Sequence, residues 1–133
     1  MTKAIGVSRT LMPVHGVSGA TLPCTFIYNS RDPLVVELWF TSGVVWRIGR
    51  DLLADGVNTK VGGAVGELKI VVSRPVEKSV LVLMIHKDGQ HTLLRFDREP
   101  LAAALDFSYR LVPRGGEPID RDALVASIEQ GLT

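Results

Sequence analysis

The closest pairing of reactive side chains in this 133-residue chain is His86 with His91. They flank Lys87-Asp88-Gly89-Gln90, and an Asp-Gly pair between apolar runs is a strong hairpin signal. With a two-residue loop, Lys87 pairs with Gln90 and the imidazoles face each other across the strands. Two facing imidazoles can share a metal or respond to pH near neutrality. A closed metal site needs more ligands, and no Cys, Asp or Glu stands at ligand spacing to complete it. A plain cross-strand surface pair is therefore the better reading. His15 has no recognisable partner.

The remaining candidates weaken in the same way. Lys60-Val61-Gly62-Gly63-Ala64-Val65-Gly66 is glycine-rich, but a phosphate loop puts its lysine after the glycines, at the start of a helix. Here the lysine comes first and a strand follows, so a connector is expected. Cys24 has neither the cationic neighbour nor the helix N-terminus that makes a thiolate reactive. It reads as a buried cysteine. Asp120 and Asp122 suit the first turn of a helix better than acid–base work. Trp39 and Trp46, with Arg47 and Arg50 nearby, offer a stacking platform for single-stranded nucleic acid. Large aromatics on paired strands more often form a core or a subunit interface. No catalytic set, metal site or cofactor motif emerges, and a non-enzymatic protein is expected.

Composition points the same way. Hydrophobic residues make up 46% and charged ones 22%, a globular balance in a length suited to one domain spanning residues 1–133. No apolar run approaches the roughly 20 residues that span a bilayer. The N-terminus lacks a signal-peptide pattern, and the single cysteine fits a reducing compartment. A cytoplasmic protein is expected. Fifteen Lys and Arg against 14 Asp and Glu leave a net charge of +1. The cations are scattered rather than gathered in the run that phosphate binding favours. Ten of the 15 are arginine, which suits bidentate contacts to carboxylates at protein interfaces.

The elements that must position these side chains can be read in order. Ser8–Val14 is a candidate edge strand interrupted by Pro13. Leu22–Tyr28 and Leu34–Phe40 follow, the second apolar on both faces and so expected to be central or covered on both. After Ser42-Gly43, Val44, Trp46 and Ile48 alternate along a third strand. Asp51–Asp55 forms a short helix, with Gly56 placed as a left-handed cap. Val57–Gly66 reads as a loop and Glu67–Val72 as a half-polar strand. Ser79–His86 and His91–Phe96 form the hairpin. Asp97 caps a helix carrying Leu101, Ala104, Leu105, Ser108 and Leu111 on one face. Pro113 ends it, and Asp120 starts a last helix with Leu124, Ile128 and Leu132. Hairpins without strand–helix alternation give an α+β fold: a curved antiparallel sheet covered by C-terminal helices.

One stretch carries more. Arg31-Asp32-Pro33, an apolar strand ending in an aromatic, Trp46, Arg50-Asp51-Leu52-Leu53-x-x-Gly56, then Tyr109-Arg110-x-Val112-Pro113-x-Gly115 and Ile119-Asp120 occur in one consistent order. Together these resemble the SsgA-like sporulation and cell-division proteins of actinobacteria, over about residues 22–132. In its compact length the chain is similar to the SsgB-type branch. The resemblance implies a whirly-like curved sheet, with a short helix after the third strand and two C-terminal helices, assembled as a homotrimer.

It also implies a regulator of sporulation-specific septation. Such a regulator acts through protein–protein contacts with other divisome or SsgA-like proteins. It recruits or positions the tubulin-like division GTPase FtsZ at division septa. Within that reading the Arg114-Gly115-Gly116-Glu117 loop is the expected partner surface, being short and polar between two helices. The alternative is a mere helix–helix connector. The alternative function, single-stranded nucleic-acid binding, would use Trp39, Trp46, Arg47 and Arg50. The chain lacks the lysine-rich strand signature of whirly DNA binders.

Overall fold

The computed structural model describes residues 6–117. Nine strands and two helices occur among them. The strands are β1 (Gly6–Leu11), β2 (Val14–His15), β3 (Cys24–Asn29), β4 (Val35–Phe40), β5 (Val45–Gly49), β6 (Gly63–Glu67), β7 (Ile70–Val76), β8 (Ser79–Ile85) and β9 (His91–Asp97). The helices are α1 (Arg50–Val57), which follows β5, and α2 (Arg98–Leu111), which follows β9. The expected last helix falls outside the described residues. The strands form two antiparallel sheets, ordered β1-β3-β4-β5 and β2-β9-β8-β7-β6. Both sheets and both helices contribute to one hydrophobic core.

Alternation dictates which side chains enter it. Phe26 and Tyr28 on β3, Val36 and Leu38 on β4, and Trp46 and Ile48 on β5 are buried together. Val72, Val80, Val82, Leu94 and Phe96 supply the second sheet's share. The apolar face of α2, with Leu101, Ala104, Leu105 and Ser108, is buried as its spacing predicts. Asp97 takes the N-cap position in an extended conformation, but its side chain makes no capping hydrogen bond. Its contribution there is negative charge at the positive end of the helix. β1 lies at an edge, and Pro13 follows it just before β2. The short helix follows three strands read from sequence (β3, β4 and β5), with β1 and β2 preceding them.

Four local expectations are corrected. Gly56 is no left-handed cap: α1 continues through it, and it is absent from the positive-φ glycines. A Cβ there would lie 2.2 Å from Val72 Cγ1, so the position demands glycine because α1 rests on β7. The glycine-rich connector is a strand over half its length, because β6 pairs with β7 from Gly63↔Arg74 to Glu67↔Ile70. Leu68 is the tip of that hairpin rather than a strand residue, with φ 54° and 96% exposure.

The fourth correction concerns the histidines. β8 and β9 pair with Ile85 opposite His91, so the loop has three residues, and Gly89 takes φ 84°. The His86 amide donates to the Gln90 carbonyl at 2.8 Å, and the Gly89 amide to that of His86 at 2.9 Å. A turn closed by a glycine in the left-handed region is the usual form of a three-residue hairpin loop. The one-residue shift sends the two imidazoles to opposite faces. His86 Nε2 lies 2.6 Å from Thr92 Oγ1.

Candidate protein-interaction surface

β4 carries two kinds of residue on its two faces. Val36 and Leu38 are fully buried, while Glu37 and Trp39 point the other way. The second face is apolar enough to suggest cover, yet Trp39 is 50% exposed. Its indole Nε1 donates to Glu37 Oε1 at 3.4 Å. Beside it on β5, Val45 is also exposed and pairs with Trp39, and Arg47 pairs with Glu37. Arg47 donates to Asp32 Oδ2 at 2.7 Å and Glu37 Oε2 at 3.1 Å. The face is thus an apolar centre bordered by an ion-pair chain. Around the edge of β5, a groove of about 690 Å³ runs past Gly49, Leu52, Ile70, Met84 and Ile85 to the protruding Leu68.

Arg50, three residues after Arg47, has the opposite environment. It is the first residue of α1 and fully buried. Its guanidinium carbon sits 4.6 Å from the Tyr28 ring centroid and 4.1 Å from that of Tyr109. Nη1 donates to the Ser108 carbonyl at 3.0 Å, and Nη2 to Glu117 Oε1 at 2.9 Å. Nε has no partner among the described residues. A buried guanidinium survives this only because rings, carbonyl and carboxylate replace its hydration shell.

The same helix holds the loop after α2 from outside. Arg114 donates to both carboxylate oxygens of Asp55, at 2.7 and 2.9 Å, and its Nε lies 3.5 Å from Asp51 Oδ2. Tyr109 Oη donates to Asp51 Oδ1 at 2.6 Å. The charges are therefore exchanged: α1 supplies a buried cation and two surface acids, and the loop supplies Glu117 and Arg114 in return. The hydrogen bond from Arg114 holds the Asp55 carboxyl below its ordinary range. Glu117 is lowered too, first by its own backbone amide and then by Arg50. Burial, with the bond to Asp51, pushes the Tyr109 phenol up.

The four loop residues therefore divide. Arg114, Gly115 and Gly116 remain at the surface, while Glu117 turns inward to Arg50. The four residues of the nucleic-acid alternative separate as well. Trp39 and Arg47 share the exposed face of β4 and β5, whereas Trp46 is 7% exposed and edge-on to Phe40. Trp46 and Arg50 are closed to a base, and two carboxylates offset Arg47. Cys24 lies in the core, where burial pushes its thiol up to about 11. Among the described residues no group of three or more His, Cys, Asp or Glu could hold a metal, and no helix is long and apolar enough to cross a membrane. Sequence reading missed the cage around Arg50. Tyr28, Ser108 and Tyr109 are each ordinary in sequence and far from residue 50.

Comparison with known proteins adds the family. Residues 22–117 match the family described as Streptomyces sporulation and cell division protein, SsgA. The sporulation-specific cell division protein SsgB of Frankia casuarinae is 31% identical over 121 residues, covering 85% of this chain and 83% of that protein. SsgB of Saccharopolyspora erythraea is 34% identical over 96 residues, 68% of this chain and 64% of that protein. A solved SsgB structure, from work on mutations in SsgB that correlate to longitudinal cell division during sporulation of Streptomyces coelicolor, has a TM-score of 0.76 and 27% identity. It covers 88% of this chain and 94% of its own. The match over residues 22–117 takes in β3 through the loop after α2, including the exposed β4–β5 face and the buried arginine. The chain belongs to the SsgA family.

Proposed function

We propose that this protein is a non-enzymatic regulator of sporulation-specific cell division, working as a homotrimer that positions FtsZ at division septa through protein–protein contacts. The observation that carries the reading is the outer face of β4 and β5 in a chain of this family. Its half-exposed Trp39 lies beside Val45, with a charged border. An apolar centre with a tryptophan and a polar rim is the composition of a protein interface. The surface part of the 114–116 loop stays within the proposal as a second contact, and Glu117 leaves it. The nucleic-acid alternative has lost two of its four residues to the core.

Co-sedimentation with GTP-assembled FtsZ polymers from the same organism tests this. Wild-type protein should enrich in the pellet with GTP and not with GDP. Trp39→Ala should reduce the enrichment several-fold while the protein stays folded, since interface tryptophans often carry much of the binding energy. Wild-type protein that stays in the supernatant would sink the FtsZ assignment. Light scattering after size exclusion gives the assembly state, and a monomer would remove the trimer.

A further inference from the structure

Among the described residues, Arg47 and Arg114 each meet carboxylates, and Arg50 meets one inside the core. Arg9 and Arg110 do something different. Arg9 shares the face of β1 that carries the buried Val7 and Leu11, and it projects beside α2. Arg110 lies in the last turn of α2. Both cover one ring: the guanidinium carbons are 5.1 and 5.0 Å from the centroid of Phe107, which is 36% exposed. Neither takes part in any ion pair among the described residues. Asp106, one turn before Arg110, is exposed but not within ion-pair distance. Among the described residues the Arg9 side chain makes one hydrogen bond of its own, from Nη1 to the Ser8 carbonyl at 3.1 Å.

We infer that Arg9, Phe107 and Arg110 form a docking site for an acidic peptide segment of a partner protein. The inference rests on the proposed role in protein contacts and gives that role a chemical partner. A guanidinium has five N–H donors in a planar fork that matches a carboxylate. Stacking on Phe107 restrains both forks before any partner arrives, so less side-chain entropy is lost on binding. The ring itself adds apolar area between the two charges, and arginine and aromatic residues are the types that dominate interface energetics. Two local cations on a chain of net charge +1 suit a few carboxylates. A phosphate backbone calls for a longer track of cations.

Fluorescence anisotropy with a fluorescein-labelled polyglutamate peptide and full-length protein gives the test. Wild type should bind at low salt and weaken as salt rises. Arg9→Glu with Arg110→Glu should bind at least about tenfold more weakly, as expected when charge-assisted hydrogen bonds are lost. The control is Arg31→Glu with Arg95→Glu, which makes the same charge change at two other exposed arginines. An equal loss in the control would reduce the effect to bulk charge and overturn the site. So would wild type that does not bind. Phe107→Leu should weaken binding a few-fold, and unchanged affinity would remove the ring from the site. Tighter binding after Asp120→Asn with Asp122→Asn would place the chain's own acids on these arginines and overturn the partner assignment. The same variants in the FtsZ pelleting assay separate the two levels. A double-glutamate variant that pellets normally overturns this surface as the partner contact and leaves the proposed function standing. A wild type that binds the peptide but never pellets does the reverse.

Discussion

Arg47 and Arg50 stand one helical turn apart in sequence, yet they belong to regions with opposite physics. Arg47 lies on an open sheet face, where water screens its two ion pairs and each contributes little. Arg50 is sealed between two tyrosine rings at the α1–α2 junction, with a carbonyl and a carboxylate as substitutes for water. The first region leaves a tryptophan and its charged border open at the surface, and the second fixes α1, α2 and the following loop together. Charge alone does not say which duty an arginine has. Desolvation does.

The largest expected effect breaks this comparison at its buried end. Arg50→Ala removes a fully enclosed side chain and strands Glu117, and should cost about 3–5 kcal/mol. Arg47→Ala should change stability by less than about 0.5 kcal/mol. Urea denaturation of both variants decides it, and equal losses would erase the distinction.

A smaller effect sharpens the comparison on the same junction. Gly56→Ala in an open helix would stabilise by up to about 1 kcal/mol. Here the new methyl meets Val72, and a net loss of about 1–3 kcal/mol is expected. In a Val72→Ala background Gly56→Ala should cost less than in the wild type, measured by thermal melting of all four proteins. A stabilised Gly56→Ala would mean that α1 does not rest on β7.

The smallest effect concerns the two carboxylates at the loop, Asp55 on the outside and Glu117 on the inside. Asp55 is lowered from its ordinary value of 3.8 and Glu117 from 4.5. A carboxylate with a depressed folded pKa stabilises fully above its unfolded value, and the benefit disappears as pH falls through the folded value. Stability should therefore decline as pH drops below about 4.5, and Asp55→Asn should flatten part of that decline. Urea midpoints across that range measure it. An unchanged slope would show that the Arg114 contact contributes nothing.

Much of the fold was legible because local rules dominated. Alternation located β3, β4, β5 and β8, and helical spacing selected the buried face of α2. The failures occurred where a neighbouring element overrode the local signal. Gly56 looked like a helix stop and is instead a point of close approach. The stretch 63–66 looked like a loop because its strand character comes from pairing with β7. The histidine pair failed by one residue of loop length, which is enough to reverse a face. The candidate surface was half legible. Trp39 and Arg47 were singled out together and do share a face, but Trp46 and Arg50 went to the core.

The sequence by itself determined the α+β class, the main strands, the apolar face of α2 and the resemblance to a family, because periodicity and motif order are local properties of the chain. Only the tertiary structure decided that the strands divide into two sheets, that Arg50 is caged by Tyr28 and Tyr109, and that Phe107 gathers Arg9 and Arg110. Each of those joins residues far apart in sequence, and the energy of burying or exposing a charge depends on the groups the fold brings around it.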